Sequence, residues 1–317
     1  MERDEKIFVV GHEGMIGSAI LRRLEAEGFT RLITRSATEL DLTDQSRVFE
    51  FFMEGKPDNV FLTSTKVGGI LANSRYPAEF IYSNIVSQTN VIHSAWKSGV
   101  KKLLFLGSSC VYPKDCPQPM KEEYLLSGRL EPTSEPYAIA KIAGIRMCQS
   151  YNRQYGTRYI PVVPADVYGP GDDFDPETGH VLPALISKMH LARIKNEPKV
   201  IVWGTGSPRR ETLHVDDLAD ACIFLMNNYN DSEMINAGSG EDISIRDLAQ
   251  VIKDAVGFKG NITFDESKPD GTLRKLLDIN NINKLGWSPK VSLAEGIRQT
   301  YKWFENQPMN KLSEKSQ

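Results

Sequence analysis

With 317 residues, 40% of them hydrophobic, the chain can bury a large core as one large domain or two smaller ones. Its formal net charge of -3, from 38 Lys+Arg against 41 Asp+Glu, gives no nucleic-acid footprint, and no apolar run approaches the roughly 18 residues of a membrane span, so neither partner is expected. The charged start Met1-Glu2-Arg3-Asp4-Glu5-Lys6 leads straight into a strand-like run with no secretory signal, which implies a cytoplasmic chain whose Cys110, Cys116, Cys148 and Cys222 stay reduced and lack metal-type spacing.

The chain opens with a strand over Lys6-Ile7-Phe8-Val9-Val10, a glycine turn Gly11-His12-Glu13-Gly14-Met15-Ile16-Gly17, and an amphipathic helical run over residues 18–28. Strand, glycine turn and helix in that order predict a dinucleotide site. The glycines allow a tight reversal and close approach of a pyrophosphate to the helix N-terminus. A second strand over residues 31–35 ends beside the adenosine ribose, where Arg35 suits a 2′-phosphate and so favours NADP, although Glu13 in the turn would repel a phosphate it faced. Residues 39–44 place the polar Asp41, followed by Leu42, to meet an adenine edge, with Thr43 or Asp44 as N-cap of a helix over 46–52.

Residues 59–65 form a fourth-strand candidate, a long helix runs over 77–99, and a fifth strand closes on Ser108-Ser109-Cys110. The alternation implies a doubly wound parallel sheet in an α/β fold, with ligands at the carboxyl ends of the strands. In Glu135-Pro136-Tyr137-Ala138-Ile139-Ala140-Lys141, Tyr137 and Lys141 stand four apart on one helix face. An ammonium there favours the ionised phenol and makes Tyr137 a candidate proton donor and acceptor.

A sixth strand covers residues 159–163, an apolar helix 183–192, a strand 200–204, and a charged loop 207–211 carries Arg209 and Arg210. Asp216 and Asp217 start a helix over 216–227 that packs back on the sheet, and the chemistry requires no metal. The expected division is a dinucleotide-binding domain over 1–171 with 213–240 returning to it, a smaller C-terminal α/β substrate domain from 172–212 and 241–310, and a disordered tail over 311–317.

These residues carry a resemblance. The Gly11/Gly14/Gly17 turn, Ser108, and Tyr137 with Lys141 resemble the extended short-chain dehydrogenase/reductase superfamily of nucleotide-sugar enzymes. Over almost its whole length the chain is similar to the GDP-L-fucose synthase family, through Lys66-Val67-Gly68-Gly69-Ile70, Gly107-Ser108-Ser109-Cys110-Val111-Tyr112-Pro113, residues 136–144, residues 150–156 and Lys268-Pro269-Asp270-Gly271-Thr272. The resemblance implies an NADP(H)-dependent 3,5-epimerase/4-reductase acting on a GDP-linked 4-keto sugar, working as a homodimer.

It implies Ser108, Tyr137 and Lys141 at the carbonyl, Cys110 as base and His180 as acid. For the cofactor it implies Gly11, Gly14, Met15, Ile16, Gly17, Arg35, Asp41, Leu42, Lys141, Val167 and His180. Lys188, Trp203, Arg210 and Lys275 would meet the nucleotide sugar. A thiol beside a cation can be a thiolate at working pH. The chain departs from the family pattern at Glu13, residues 63–65, Ser134, Ala165, Asp166 and Lys188, which leaves a colitose-type or keto-heptose substrate as an alternative. An alternative of another class is a non-catalytic nucleotide sensor.

Overall fold

A computed structural model of the chain describes residues 1–64, 66–268 and 270–307; the polar tail after Pro308, Thr65 of the third apolar run and Pro269 of the last motif block lie outside the described residues. The first half runs β1 (Ile7–Val10), α1 (Met15–Ala26), β2 (Leu32–Ile33), α2 (Gln45–Gly55), β3 (Asn59–Leu62), α3 (Ile70–Arg75), α4 (Pro77–Ser98), β4 (Lys102–Leu106), α5 (Glu135–Tyr155) and β5 (Tyr159–Pro164). The second half runs β6 (Asp166–Tyr168), α6 (Val181–Ile194), β7 (Lys199–Trp203), β8 (Arg209–His214), α7 (Val215–Asn228), β9 (Ile235–Ala237) and β10 (Asp242–Ser244), then α8 (Ile245–Val256), β11 (Asn261–Asp265), β12 (Arg274–Lys275), α9 (Asn280–Lys284) and α10 (Leu293–Glu305).

Six parallel strands in the order β2-β1-β3-β4-β5-β9 make the central sheet. Strands β1, β3, β4 and β5 are buried along their whole length, as continuous apolar runs must be when helices cover both faces. One helix layer packs α1 on α7 and another packs α2 and α5 against α4. The strand order reverses between β1 and β3, so a crevice opens at their carboxyl ends. Beyond β5 the chain takes a single residue, Ala165, to leave this sheet and enter β6, which pairs with β8. Strands β10, β8 and β12 extend that second sheet, and β7 pairs with β11.

A second apolar cluster forms under α6, α8 and α10, with Leu185, Met189, Leu248, Ile252, Ile297 and Phe304 among its buried members. Leu277, Ile282 and Trp287, although late in the chain, pack with the central-sheet core. No helix among the described residues is long and apolar enough to cross a membrane.

Several boundaries differ from the sequence reading. Helix α1 starts at Met15, inside the glycine turn, because Gly14 takes the extended N-cap conformation and Gly17 is already helical. Strand β2 shrinks to Leu32–Ile33. The run at 59–65 is the third strand, not the fourth, and stops at Leu62, so the runs read as fifth and sixth strands are β4 and β5. The run before Ser108 leaves the sheet at Leu106, and Ser109–Val111 make a 3-10 turn. Residues 207–211, read as a loop, enter β8 at Arg209.

Helix α5 is held close to the sheet by Gly144, where a Cβ would lie 2.3 Å from the Phe105 ring on β4. A Gly144→Ala variant must displace the Phe105 ring or push α5 off the sheet. It is expected to lose about 1–3 kcal/mol, measured by urea denaturation, and to lower activity at the Tyr137 end of the same helix.

Candidate active site

The glycine turn forms a cradle at the strand-order reversal. Gly11 has φ +81°, and a Cβ there would stand 2.8 Å from the Ser64 backbone after β3. A Cβ on Gly17 would stand 2.1 Å from Gly11 O, so only glycine lets the helix start this close to the strand. Gly14 caps the 12-residue α1 without any side-chain hydrogen bond. Its first-turn N–H groups therefore meet the crevice with the positive end of the helix dipole. The cradle fits a pyrophosphate, which is what a dinucleotide presents here.

Pro136 sits in the first turn of α5 and Gly156, at φ +67°, closes its last turn, so the sequence starts and stops this helix itself. Tyr137 and Lys141 lie on its inner face. The Lys141 ammonium is 2% exposed, donates a 2.8 Å hydrogen bond to Leu106 O at the end of β4, and stands 5.7 Å from the Tyr137 ring centre. Burial lowers its pKa to about 8, against which Cys110 pulls upward. It is therefore mostly charged at neutral pH, with N–H groups left for a ligand.

Phe80 meets Tyr137 edge-on at 6.4 Å, and Gln88 on α4 donates to Ala140 O at 2.6 Å, so α4 fixes this turn of α5 from behind. Ser108 caps the 3-10 turn, its hydroxyl accepting from Cys110 N at 3.4 Å. Burial pushes the half-buried Cys110 thiol upward in pKa; the Ser108 hydrogen bond, Lys275 and Lys141 pull it back, while Asp166 adds to the rise. The free cavity thus holds a protonated thiol, contrary to the thiolate that its cationic neighbours alone suggest. Desolvation outweighs them.

One cavity of about 1900 Å³ joins these groups. Its wall includes every residue expected to serve catalysis, the cofactor or the nucleotide sugar: Gly11, Gly14, Met15, Ile16, Gly17, Arg35, Asp41 and Leu42 at the cradle end, Ser108, Cys110, Tyr137, Lys141, Val167 and His180 in the middle, and Lys188, Trp203, Arg210 and Lys275 beyond. Arg35 lies 5.4 Å from the Phe51 ring centre, and Glu13 lines the same end. Asp41 accepts from Thr43 N and Oγ1, which hold its carboxyl below the usual range. His180 is exposed at the N-cap of α6.

At the far end Lys188 stands 5.7 Å from the Trp203 ring centre, and burial lowers its pKa. Trp203 is 55% exposed, a flat apolar wall open to a base or ribose. The paired arginines separate, because successive side chains of a strand point to opposite faces. Arg210 lines the cavity and donates to Thr272 O, whereas Arg209 turns outward into an ion pair with Asp242 at 2.9 Å. Asp166 accepts from Ser109 Oγ at 3.5 Å and puts a carboxylate in the wall between Cys110 and Arg210.

Other parts of the site escaped sequence reasoning. Gly69 donates to Thr178 O at 3.2 Å and leaves no room for a Cβ, which would be 2.6 Å from that oxygen. This contact docks the segment before α3 against the loop that carries His180. Adjacent glycines at 68 and 69 were the available signal.

A model of the family described as NAD dependent epimerase/dehydratase matches residues 7–238. The chain belongs to that family. It is 55% identical over 303 residues to GDP-L-fucose synthase 1 of Arabidopsis thaliana, covering 96% of this chain and 94% of that protein, and 52% identical over 313 residues to the Escherichia coli K12 GDP-L-fucose synthase, covering 96% and 98%. Among solved structures, the GDP-mannoheptose C4 reductase from Campylobacter jejuni with NADP bound is 40% identical, with a TM-score of 0.89 over 96% of this chain and all of that one (100%). That solved structure shares the doubly wound sheet found here.

Alkylation of Cys110 tests the state of the thiol. Because burial holds the proton on it, iodoacetamide near neutral pH should modify Cys110 more slowly than a free thiol of ordinary pKa, and faster as pH rises. Peptide mass spectrometry of the ligand-free protein reads this directly, and fast modification at neutral pH would instead identify a resting thiolate.

Proposed function

We propose that the protein converts GDP-4-keto-6-deoxy-D-mannose to GDP-L-fucose, by epimerisation at C3 and C5 followed by reduction at C4. The observation that carries this reading is the meeting of Ser108, Tyr137 and Lys141 with Cys110 and His180 in one cavity, between a glycine cradle and the cations Lys188, Arg210 and Lys275. The similarity to GDP-L-fucose synthases at 52–55% identity supports the substrate.

The cradle, with Arg35 at its adenosine end, would hold NADPH, which when bound supplies the hydride for C4. Everything else falls to the chain. Ser108 and Tyr137 donate hydrogen bonds to the ketone oxygen, stabilising the negative charge that gathers there when a proton leaves C3 or C5. Cys110, once its own proton has passed to solvent, takes that proton as a thiolate on one face of the ring and His180 returns one on the other, so the carbon inverts and the solvent resets both groups. Ser108, Lys275 and Lys141 oppose the burial that protonates Cys110, which is what lets a thiol serve as base. In the last step Tyr137 gives its proton to the alkoxide at C4, with Lys141 favouring the phenolate that remains.

Arg210 and Lys275 would meet the diphosphate, and Lys188 with Trp203 the nucleoside. A homodimer through α4 and α5 fits the exposed Tyr82, Ile139 and Tyr155 on those helices, and a cytoplasmic setting fits the reduced cysteines. A second reading, C4 reduction of another GDP-sugar without epimerisation, is favoured by one feature: the Asp166 carboxylate in the cavity wall selects for a sugar that offers it hydroxyl donors.

Purified protein with NADPH and GDP-4-keto-6-deoxy-D-mannose in deuterated water separates the two. The expected outcome is cofactor oxidation with deuterium at both C3 and C5 of the product. Cys110→Ser should slow turnover by about 10²-fold or more, and Tyr137→Phe by about 10²- to 10⁴-fold. Turnover without label would reduce the activity to a C4 reductase, and no turnover would point to a different sugar.

A further inference from the structure

One buried carboxylate plays no part in the chemistry above. Glu211 on β8 is 2% exposed. Its Oε1 accepts from Gly240 N at 2.7 Å and its Oε2 from Leu277 N at 2.7 Å, with Ser239 N as a further donor. A Cβ on Gly238 would fall 2.2 Å from Oε1, so the β9–β10 connection is shaped around this side chain. Burying an ionised carboxylate is costly, and here the compensation comes from backbone N–H groups.

The geometry gives that carboxylate a purpose. Strand β12 pairs with β8 in register, Lys275 opposite Arg210. Arg210 grips the segment before Lys275 through Thr272 O on the cavity side, and Glu211, the next residue and so on the other face of β8, grips the segment after it through Leu277 N. Gln118 adds a bond from Leu276 N at 2.8 Å.

We propose that Glu211 is a positioning residue that sets Lys275 beside Arg210 and so completes the binding site for the diphosphate of the nucleotide sugar. The proposal rests on the reading of the site as a GDP-sugar site. Of the charged side chains on the elements around Glu211, Asp166 on β6 raises its proton affinity, Arg209 and Arg274 are joined to Asp242 of β10, and Arg210 and Lys275 line the cavity. Burial brings its pKa up to about 7. A protonated Glu211 keeps fewer acceptor sites for the N–H groups it braces, so the brace weakens as pH falls through neutrality.

The test is a double-mutant cycle on the affinity for GDP-mannose, a diphosphate diester whose own charge is constant through neutral pH, measured by calorimetry. Glu211→Gln puts an amide donor against a backbone donor and should weaken binding about tenfold, while NADPH affinity, read by fluorescence quenching at the cradle end, stays within about twofold. In a Lys275→Ala background the same change should add less than about twofold, because its effect runs through Lys275. An undiminished tenfold loss in that background overturns the proposal. So does failure of the unaltered protein to bind GDP-mannose, which also overturns the GDP-sugar reading and is thereby told apart. Should Glu211→Gln not fold, a pH series on the unaltered protein and Lys275→Ala decides: affinity should fall severalfold from about pH 8 to about pH 6 in the first, and that component should vanish in the second. An identical fall in both overturns the proposal.

Discussion

The hydrogen bond from the Lys141 ammonium to Leu106 O is the constraint on which the site depends. It joins the inner face of α5 to the end of β4, and a charge buried this deeply has few other ways to be satisfied. Gly144, one turn later, lets the helix lie against Phe105 closely enough for the bond to form. Once it forms, Tyr137 stands over the strand end whose next turn presents Ser108 and Cys110. The position of the phenol thus follows from the satisfaction of a cation and from the absence of a methyl group.

The cavity is graded electrostatically along its length. At the cradle end the attraction for anions comes from backbone N–H groups at the start of α1, which need no counter-charge. At the far end it comes from Lys188, Arg210 and Lys275, of which the first two are partly desolvated and hold their protons less firmly than usual. Between them lies Cys110, whose proton affinity is decided by a contest between burial and two ammonium groups. A ligand that brings or removes charge near the thiol will tilt that contest, so the reactivity of Cys110 belongs to the occupied cavity as much as to the residue.

The sequence was legible where a local pattern has one physical meaning. Glycines spaced around Gly14 after an apolar strand, Tyr137 and Lys141 one helical turn apart, and small residues at a strand end each announce their geometry within a few positions. Charged β8 was not legible as a strand: Arg209, Arg210 and Glu211 offer no apolar alternation, although the fold sorts them to alternate faces all the same. Glu211 was hidden for a further reason, since its partners are 29 and 66 residues away and are backbone groups, which leave no side-chain signature. The effect of burial on the Cys110 thiol was not legible because neighbouring charges can be guessed from motifs, whereas desolvation depends on packing.

The jump from β5 through Ala165 into β6 sets an order of assembly during synthesis. By the time residue 168 has left the ribosome, five of the six central strands, the glycine cradle and Tyr137 have all been made. Strand β5 then waits with an open edge until β9 arrives, and Lys275 emerges later still. The cofactor half can therefore take shape on a nascent chain while the nucleotide half is missing. Such a half-formed chain has the glycine cradle but still lacks both the α7 cover on α1 and the groups that choose a sugar.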